Sequence, residues 1–451
     1  MMRNTVFVGG GPGGLSPLIS ALQAGRFDAL VEQGVTVVER GERLGAGTIG
    51  RYAINSDSAA ETFISCIDGD PHERFAALRD LPLIRDIRAM RGQAIPLRMV
   101  GALMDLLGEA IADMIRDAGG EVLTGHEALS VQQRADGTWS VRVQAKPGQV
   151  RAGGPVREIL ARNVVLATGG HQPAERLTTE PVAGVPLSPR YDATLVQSGE
   201  SLTQPGLDRI ADVLEDVAEP RIVVVGGSTS AVSAAHALLY RLPRSHLGEG
   251  AITILHRREL RVFYVTPAEA EADGYLEFGP DDICPVSGRV FRFAGLRFDS
   301  RELVMRARGI GGRPPEPRLR LQRLRDGADP EAHALLDGAH VIVAALGYRP
   351  HALPVLDLDG LEIALHAHGD GLPPLVDEGC RVMDAGRRPL AGLFAIGLAA
   401  GFQPRGELGG EASFVGQQNG LWLWQNAVGG LVVDGLLASE TEVAPRELQA
   451  V

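Results

Sequence analysis

Three glycines and one carboxylate carry the first chemical signal in the chain. Gly9, Gly11 and Gly14 fit the spacing G-x-G-x-x-G, and Glu39 follows 25 residues after the last of them. The first glycine permits a tight turn, the second lets backbone approach a pyrophosphate, and the third lets helix and strand pack closely. A helix that starts at such a loop offers free N–H groups and a positive dipole end to phosphates. An acid at the end of the next strand accepts hydrogen bonds from a ribose diol. Pro12 lies inside the loop and Arg40 beside the acid. The chemistry is dinucleotide binding.

The signal recurs. Gly226-Gly227-Ser228-Thr229-Ser230-Ala231 follows the apolar run Arg221–Val225, and His256-Arg257-Arg258 closes the next apolar run. Gly9 to Glu39 spans 30 residues, and so does Gly226 to His256. Ser228 replaces the second glycine and Ala231 the third. No acid closes this unit. Arg257 and Arg258 stand there instead, which suits a cofactor with a 2′-phosphate, NADPH over NADH; the alternative is a solvated strand end.

The elements that must position these groups are legible. Thr5–Val8 and Val35–Val38 are short apolar runs suited to buried parallel strands, with helical character over Leu15–Ala24 between them. An Ala-rich helix runs from the second loop through Leu239, and Ala251–Leu255 is the strand after it. Asn163–Gly170 and His340–Tyr348 each read as a β-branched strand ending in a small-residue turn, returning to its own nucleotide sheet, and Thr168 and Gly169 belong to the first turn. Gly392–Gly397 is another strand ending in glycine, before a helix expected from about Glu411 to Leu437. Gly101–Ala118 reads as a helix, and Ala128–Gln133 with Thr138–Val143 as a hairpin around Asp136-Gly137. The fold class is α/β, with two Rossmann-like dinucleotide-binding domains, the second inserted into a discontinuous first. The expected division is 1–175 for the first domain, 176–220 linker, 221–350 for the second with an insertion at about 261–330, 351–390 connector, and 391–451 completing the first. Within the insertion, Gly288–Phe298 reads as strand-like and Gly311–Arg325 as an exposed loop.

Composition removes other classes. The chain has 451 residues and a formal net charge of −12, which argues against nonspecific binding to nucleic acid or anionic membrane. Cys66, Cys284 and Cys380 are the only cysteines and lie far apart, so a dithiol, a disulfide framework and a zinc site are not expected. This usage suits a reducing, cytoplasmic compartment. His366 and His368 lack neighbouring ligands, so no metal is expected. Leu421–Leu437 is apolar but interrupted by Gln425, Asn426 and Asp434, and is not expected to span a membrane. The 57 glycines concentrate in part on the loops named above.

Two dinucleotide units with the first rebuilt from both ends resemble the two-dinucleotide-binding-domain flavoproteins, with FAD in the first site and NADPH in the second. Within them the chain is most similar to the class B flavin monooxygenases of the ornithine/lysine N-hydroxylase group. Val225–Ala231 is similar to their second nucleotide loop, with Thr229 where Gln or Asn is usual. Ala344-Ala345-Leu346-Gly347-Tyr348 resembles their Ala-Thr-Gly-Tyr turn, with Leu for Thr. Val196–Glu200 resembles their His-Ser element, with Gln197 for His. The Phe-x-Gly-x-x-x-His motif of the Baeyer–Villiger branch is absent. The resemblance implies FAD contacts at Gly9, Gly11, Pro12, Gly14, Glu39, Arg40, Arg51, Thr168, Gly169 and Gly397. It implies NADPH contacts at Gly226, Gly227, Ser228, Thr229, Ser230, Arg257 and Arg258.

Gly45–Tyr52 reads either as the stretch that this architecture brings beside the flavin or as an ordinary loop, with Arg51 and Tyr52 as candidate contacts to FAD phosphate or the nicotinamide. Ser56–Ser58 read as a helix cap. His171 stands near the cofactor or as an ordinary loop residue. Gln403, Arg405 and Glu407 either reach flavin or substrate or form a surface turn. Of Trp422 and Trp424, at most one faces the core. The implied activity is NADPH- and O2-dependent oxygenation of a heteroatom, an amine nitrogen first, of a small molecule through a C4a-hydroperoxyflavin, without a residue-borne catalytic set. A natural-product pathway and a homo-oligomer are compatible with it. The alternatives are an NAD(P)H-dependent flavin reductase or dehydrogenase without oxygen transfer, and a flavin-binding regulatory protein.

Overall fold

A computed structural model describes residues 2–69, 72–146, 154–242, 247–350, 353–368, 373–418 and 420–438. Two parallel sheets organise the chain. In the first, Arg3–Val8 lies between Val35–Glu39 and Arg157–Leu166, with Val6 paired to Thr36 on one side and Val164 on the other. Glu121–Thr124 extends one edge, and Pro389–Ala395 pairs in parallel with the end of Arg157–Leu166. Val6, Phe7, Val35 and Val164–Leu166 are all buried, as strands covered on both faces require. The first half of Arg157–Leu166 instead pairs antiparallel with Trp139–Ala145, which forms a hairpin with His126–Gln133.

The second sheet holds five strands in the order Leu195–Gln197, Val341–Ala344, Ile222–Val225, Ile252–His256, Leu319–Arg323, all parallel. The expected strand–loop–helix–strand unit is present in both sheets. The helices are Pro12–Gln23 and Thr229–Arg241.

Several sequence-based expectations are overturned. Residues 176–220 are not merely linker: Leu195–Gln197 is an edge strand of the second sheet, and Gln204–Leu214 is a helix with Leu207 and Ile210 buried. Residues 261–330, expected as an insertion, supply a strand and a helix to the second unit itself. Leu319–Arg323, read as loop, is a sheet strand, and the helix Phe298–Arg308 touches the helix Thr229–Arg241 through the hydroxyls of Ser233 and Ser300, 3.2 Å apart. Gly288–Phe298 forms only isolated bridges, around a cluster of Tyr264, Tyr275 and Phe291. The connector contributes Val355–Leu356 to the first sheet, beside Val131–Gln132. Ser56 and Asp57 lie in the strand Asn55–Ala59 and cap no helix.

The C-terminal helix begins at Leu421, not near Glu411, because the described residues of 401–418 form only one short 3-10 turn, Gly406–Leu408. It widens into a π turn over Trp424–Val428 and continues to Ala438; residues 439–451 lie outside the described part. Gly429 abuts helix Pro12–Gln23 so closely that a Cβ would sit 2.3 Å from Ser20 Oγ. The span Leu421–Ala438 has the length and hydropathy of a membrane helix, yet half of it is buried inside the molecule. Trp424 is its buried indole and Trp422 the exposed one.

Candidate active site

The first glycine loop is locked from three sides. Gly9 has φ +103°, and a Cβ there would lie 2.4 Å from the Ala167 carbonyl oxygen. A Cβ on Gly14 would lie 1.9 Å from the Gly9 oxygen, so the helix sits directly on the strand end. A Cβ on Gly11, by contrast, would meet only Gly47 Cα at 3.6 Å and otherwise point into open space. That is a cradle in which a pyrophosphate can approach backbone. Gly11 caps the helix Pro12–Gln23 without a side-chain hydrogen bond, and no acid stands in its first turn. The N-terminal N–H groups therefore remain available to an anion. The Glu39 carboxylate accepts from the N–H of Gly10 (2.7 Å) and of Gly41 (2.6 Å), fixing it at the strand end with lone pairs to spare for a ribose. Thr168 and Gly169 follow the adjacent strand. Gly397 is buried, and a Cβ on it would lie 3.2 Å from Gly13 Cα. These features fit FAD. Arg40 and Arg51 are exposed.

The second loop is built alike but faces a cleft of about 1900 Å³. Gly226 has φ +143°, and its Cβ would lie 2.6 Å from the Ala345 oxygen. Ser228 caps the helix Thr229–Arg241 without a side-chain hydrogen bond. Gly226–Ser230, Arg257 and Arg258 all line the cleft, which fits a second dinucleotide. Arg257 donates to the Pro181 carbonyl (2.8 Å) and pairs with Glu180 (3.1 Å), whereas Arg258 is exposed with no carboxylate partner among the described residues. His256, at the position matching Glu39, is buried with Nδ1 2.9 Å from the Arg258 carbonyl oxygen. Burial pushes its pKa down, so the ring is neutral at pH 7.

The far wall of the cleft holds Tyr52, Leu398, Phe414, Trp422 and Leu423 from the first part of the fold. Tyr52 and Tyr348 meet across it, hydroxyl to hydroxyl at 3.3 Å, and burial raises the Tyr348 pKa. Gln172 spans the resemblance's third element, donating to Ser198 Oγ (2.9 Å) and accepting from the Gly199 N–H (2.7 Å). The carboxylate of Glu411, itself buried, accepts from the N–H groups of Phe293 and Ala294 and clamps the glycine-rich C-terminal stretch to the 291–295 turn.

All three cysteines are free and buried, and none lines the cleft. Burial raises the Cys284 pKa, but donors from Ser287, Arg292 and the Gly410 N–H outweigh it and bring the thiol down to about 6.

Of the residues named from sequence, the structure gathers the first loop, Glu39, Thr168–Gly169 and Gly397 at one sheet and the second loop with Arg257–Arg258 at the other. Arg51 does not line the cleft, though Tyr52 does. Arg405 and Glu407 are exposed. Sequence reading missed Phe414 and Leu398. It also missed the cleft arginines Arg261, Arg289, Arg292 and Arg297. Their signal was present as Arg alternating with Phe over 289–298.

Two dinucleotide loops of this kind, one enclosed and one opening onto a cleft whose lining holds no cysteine, are the geometry of an oxidoreductase with two nucleotide sites. The chain belongs to the pyridine nucleotide-disulphide oxidoreductase family, whose pattern matches residues 3–276. Over 97% of its length it is 32% identical to CMP-5'-(3-aminopropyl)phosphonate hydroxylase of Streptomyces rubellomurinus, of which 98% is covered. Among solved structures it shares its fold with an FAD-bound cadaverine monooxygenase from Erwinia amylovora: TM-score 0.58, 12% identity, 100% of this chain and 97% of that one. L-lysine 6-monooxygenase from Pseudomonas syringae matches with TM-score 0.57 and 16% identity over 97% of this chain and 99% of that one. Ornithine hydroxylase from Pseudomonas aeruginosa gives 0.54 and 13%, over 97% and 100%. The chain is an FAD- and NADPH-dependent monooxygenase.

Proposed function

We propose that the enzyme hydroxylates the nitrogen of a small primary amine. The observation that carries this reading is the cysteine-free cleft that joins the NADPH loop to the flavin side. A disulfide-reducing relative needs a thiol pair there, and here the cleft wall is polar, aromatic and basic. The substrate named for the Streptomyces rubellomurinus relative carries an aminopropyl group, which supports amine over sulfur.

FAD, when bound, supplies the redox chemistry, accepting a hydride from NADPH and delivering one oxygen atom of O2 to the substrate. The chain's own residues bind, orient and exclude water. Gly9, Gly11, Pro12, Gly14, Glu39, Arg40, Thr168, Gly169 and Gly397 hold FAD, and Arg51 lies at its margin. Gly226, Gly227, Ser228, Thr229, Ser230, Arg257 and Arg258 hold NADPH. Tyr52 and Tyr348 close the passage between the two. Phe414, Trp422 and Leu423 keep that part of the cleft apolar, which limits water at the reacting nitrogen. The FAD domain takes residues 1–175 and the chain from 391 onward, with Val355–Leu356 of the connector joining its sheet, and the NADPH domain starts near 176 and runs to 350. A cytoplasmic enzyme of small-molecule biosynthesis fits this reading.

The test is product analysis. FAD-loaded enzyme with NADPH, O2 and a panel of primary amines should form hydroxylamine in step with NADPH oxidation. NADPH oxidation that proceeds equally well without O2, or that yields only peroxide with every amine, rejects the reading.

A further inference from the structure

The arginines of residues 258–325 fall into two sets. Those facing away from the cleft are paired: Arg306 and Arg318 with Glu316, Arg308 with Glu259 and Glu277, Arg313 with Asp273 and Glu302, Arg320 with Glu331. On the cleft wall, Arg301 pairs with Asp273 (3.2 Å), but Arg258, Arg261, Arg289, Arg292 and Arg297 have no carboxylate partner among the described residues. In a chain of net charge −12, carboxylates are not scarce, so this is a local arrangement.

Three features make it a site and not an accident of the surface. The guanidinium planes are braced on aromatic faces, Arg297 4.0 Å from the Phe263 ring centroid and Arg292 4.8 Å from that of Phe293. Each also spends part of its donor set on the chain, Arg297 on the Arg292 carbonyl and Arg292 on the Leu408 carbonyl (2.8 Å) and Cys284 Sγ (3.4 Å), and of its five N–H donors several are left over. The turn carrying them is fixed by the buried Glu411 carboxylate through the N–H groups of Phe293 and Ala294. The cations also crowd one another. Burial, with Arg289 and Arg292 nearby, pushes the Arg297 pKa down, and Asp57 across the cleft offsets this only in part. A cluster of like charges held this way is complete only when an anion enters.

We propose that Arg289, Arg292 and Arg297 seat a phosphorus oxyanion, a phosphonate or phosphate ester, carried by the amine substrate. This rests on the amine-hydroxylase reading and gives its substrate class. The planar fork of arginine matches the oxygens of such a group two at a time, which lysine cannot do. Arg257 and Arg258 lie beside the second glycine loop and serve the cofactor, so the cofactor's phosphate need not reach the second cluster. The two possible sources of the anion, substrate and NADPH, are separated by the experiment.

The FAD-loaded enzyme, saturated with NADP⁺, is titrated calorimetrically with 3-aminopropylphosphonate, CMP and n-propylamine. Arg289→Met and Arg297→Met are then compared, with Arg297→Lys as a milder variant and the FAD absorbance as the check on folding. Arg289 is exposed, so its variant tests the site even if Arg297→Met misfolds. The expected result is that the phosphonate or CMP binds about 100-fold tighter than propylamine. Each Met variant should lose about 10- to 100-fold of that, with NADP⁺ affinity unchanged. Equal binding of phosphonate, CMP and propylamine overturns the proposal. So does a loss confined to NADP⁺, which would give the arginines to the cofactor. Because binding is read without turnover, an oxyanion that binds but is never hydroxylated rejects the amine-hydroxylase reading and leaves the site standing.

Discussion

The two glycine loops share spacing and topology but not enclosure. The first is closed over: Gly397 lies on Gly13, Trp424 is buried behind it, and the C-terminal helix packs on Pro12–Gln23, where Ser20 donates to the Gln425 carbonyl. The second opens onto the cleft, with Gly227 and Ser228 exposed. A nucleotide in the first place is held by chain from both ends of the sequence. A nucleotide in the second would keep an open path to solvent. The residues 30 positions past each loop carry the same difference. Glu39 brings a negative charge bound to two N–H groups, whereas His256 is neutral and is followed by arginines. Replacing the acid removes the charge that would repel a 2′-phosphate, and the arginines add attraction.

The largest expected effect breaks the first loop. Gly14→Ala places a methyl 1.9 Å from the Gly9 oxygen, backbone against backbone, and we expect a loss of about 3 kcal/mol or more with little FAD retained. The second loop already carries Ala231 at the matching position, fully buried, so Ala231→Gly should cost only about 1 kcal/mol and leave FAD content unchanged. FAD-to-protein absorbance ratios after desalting measure both. Equal FAD loss in the two variants would mean that the loops are not specialised.

Gly11→Ala is the sharper variant. Its Cβ would meet ordinary contact distances, so the fold should survive, but the methyl occupies the pyrophosphate's approach. FAD affinity should fall about 10-fold or more while thermal stability of the FAD-free protein changes little. Intact FAD affinity would move the pyrophosphate away from this loop.

This asymmetry was partly legible in the sequence. Strand–glycine–helix–strand units are short-range patterns, and both appear with boundaries within a few residues of those expected. What failed was long-range. Leu195–Gln197 is three residues of edge strand, and nothing local distinguishes it from linker until Val341–Ala344 is set beside it. Leu319–Arg323 carries three polar residues in five and was read as loop, yet it completes the sheet edge beside Ile252–His256. In the site, the glycines were legible because their chemistry is backbone geometry. Arg289, Arg292 and Arg297 were not, because only folding shows which arginines lack an acidic partner.

On the open side, the next effect is on cofactor choice. Arg257 is occupied by Glu180 and the Pro181 carbonyl, while Arg258 has no such partner among the described residues. Arg258→Ala should therefore raise KM for NADPH about 10-fold and leave KM for NADH within about twofold, and Arg257→Ala should do less. Steady-state NADPH and NADH oxidation measure this. If Arg257→Ala has the larger effect, Glu180 must release it when the cofactor binds.

The last effect is on stability alone and concerns how the open half keeps its shape without a covering segment. Its outer face is held by ion pairs around Glu316, whose side chain is 2% exposed and accepts from Arg318 (2.7 Å) and the Tyr240 hydroxyl (2.6 Å). The Arg318 hydrogen bond is the main cause that brings the Glu316 pKa down from 4.5 to about 2, against the cost of burial. A depressed carboxylate pKa stabilises the fold above the unfolded value and loses that contribution as pH falls through the folded one. Glu316→Gln should thus cost about 2 kcal/mol at pH 7, allowing for the partly exposed Arg318. The gap between variant and parent should stay level down to about pH 4.5 and close between there and about pH 2. Denaturant unfolding at a series of pH values reads it. A gap that persists undiminished at the acid end would show that Glu316 acts through packing and not through its charge, and the open half would then be held much as the closed half is.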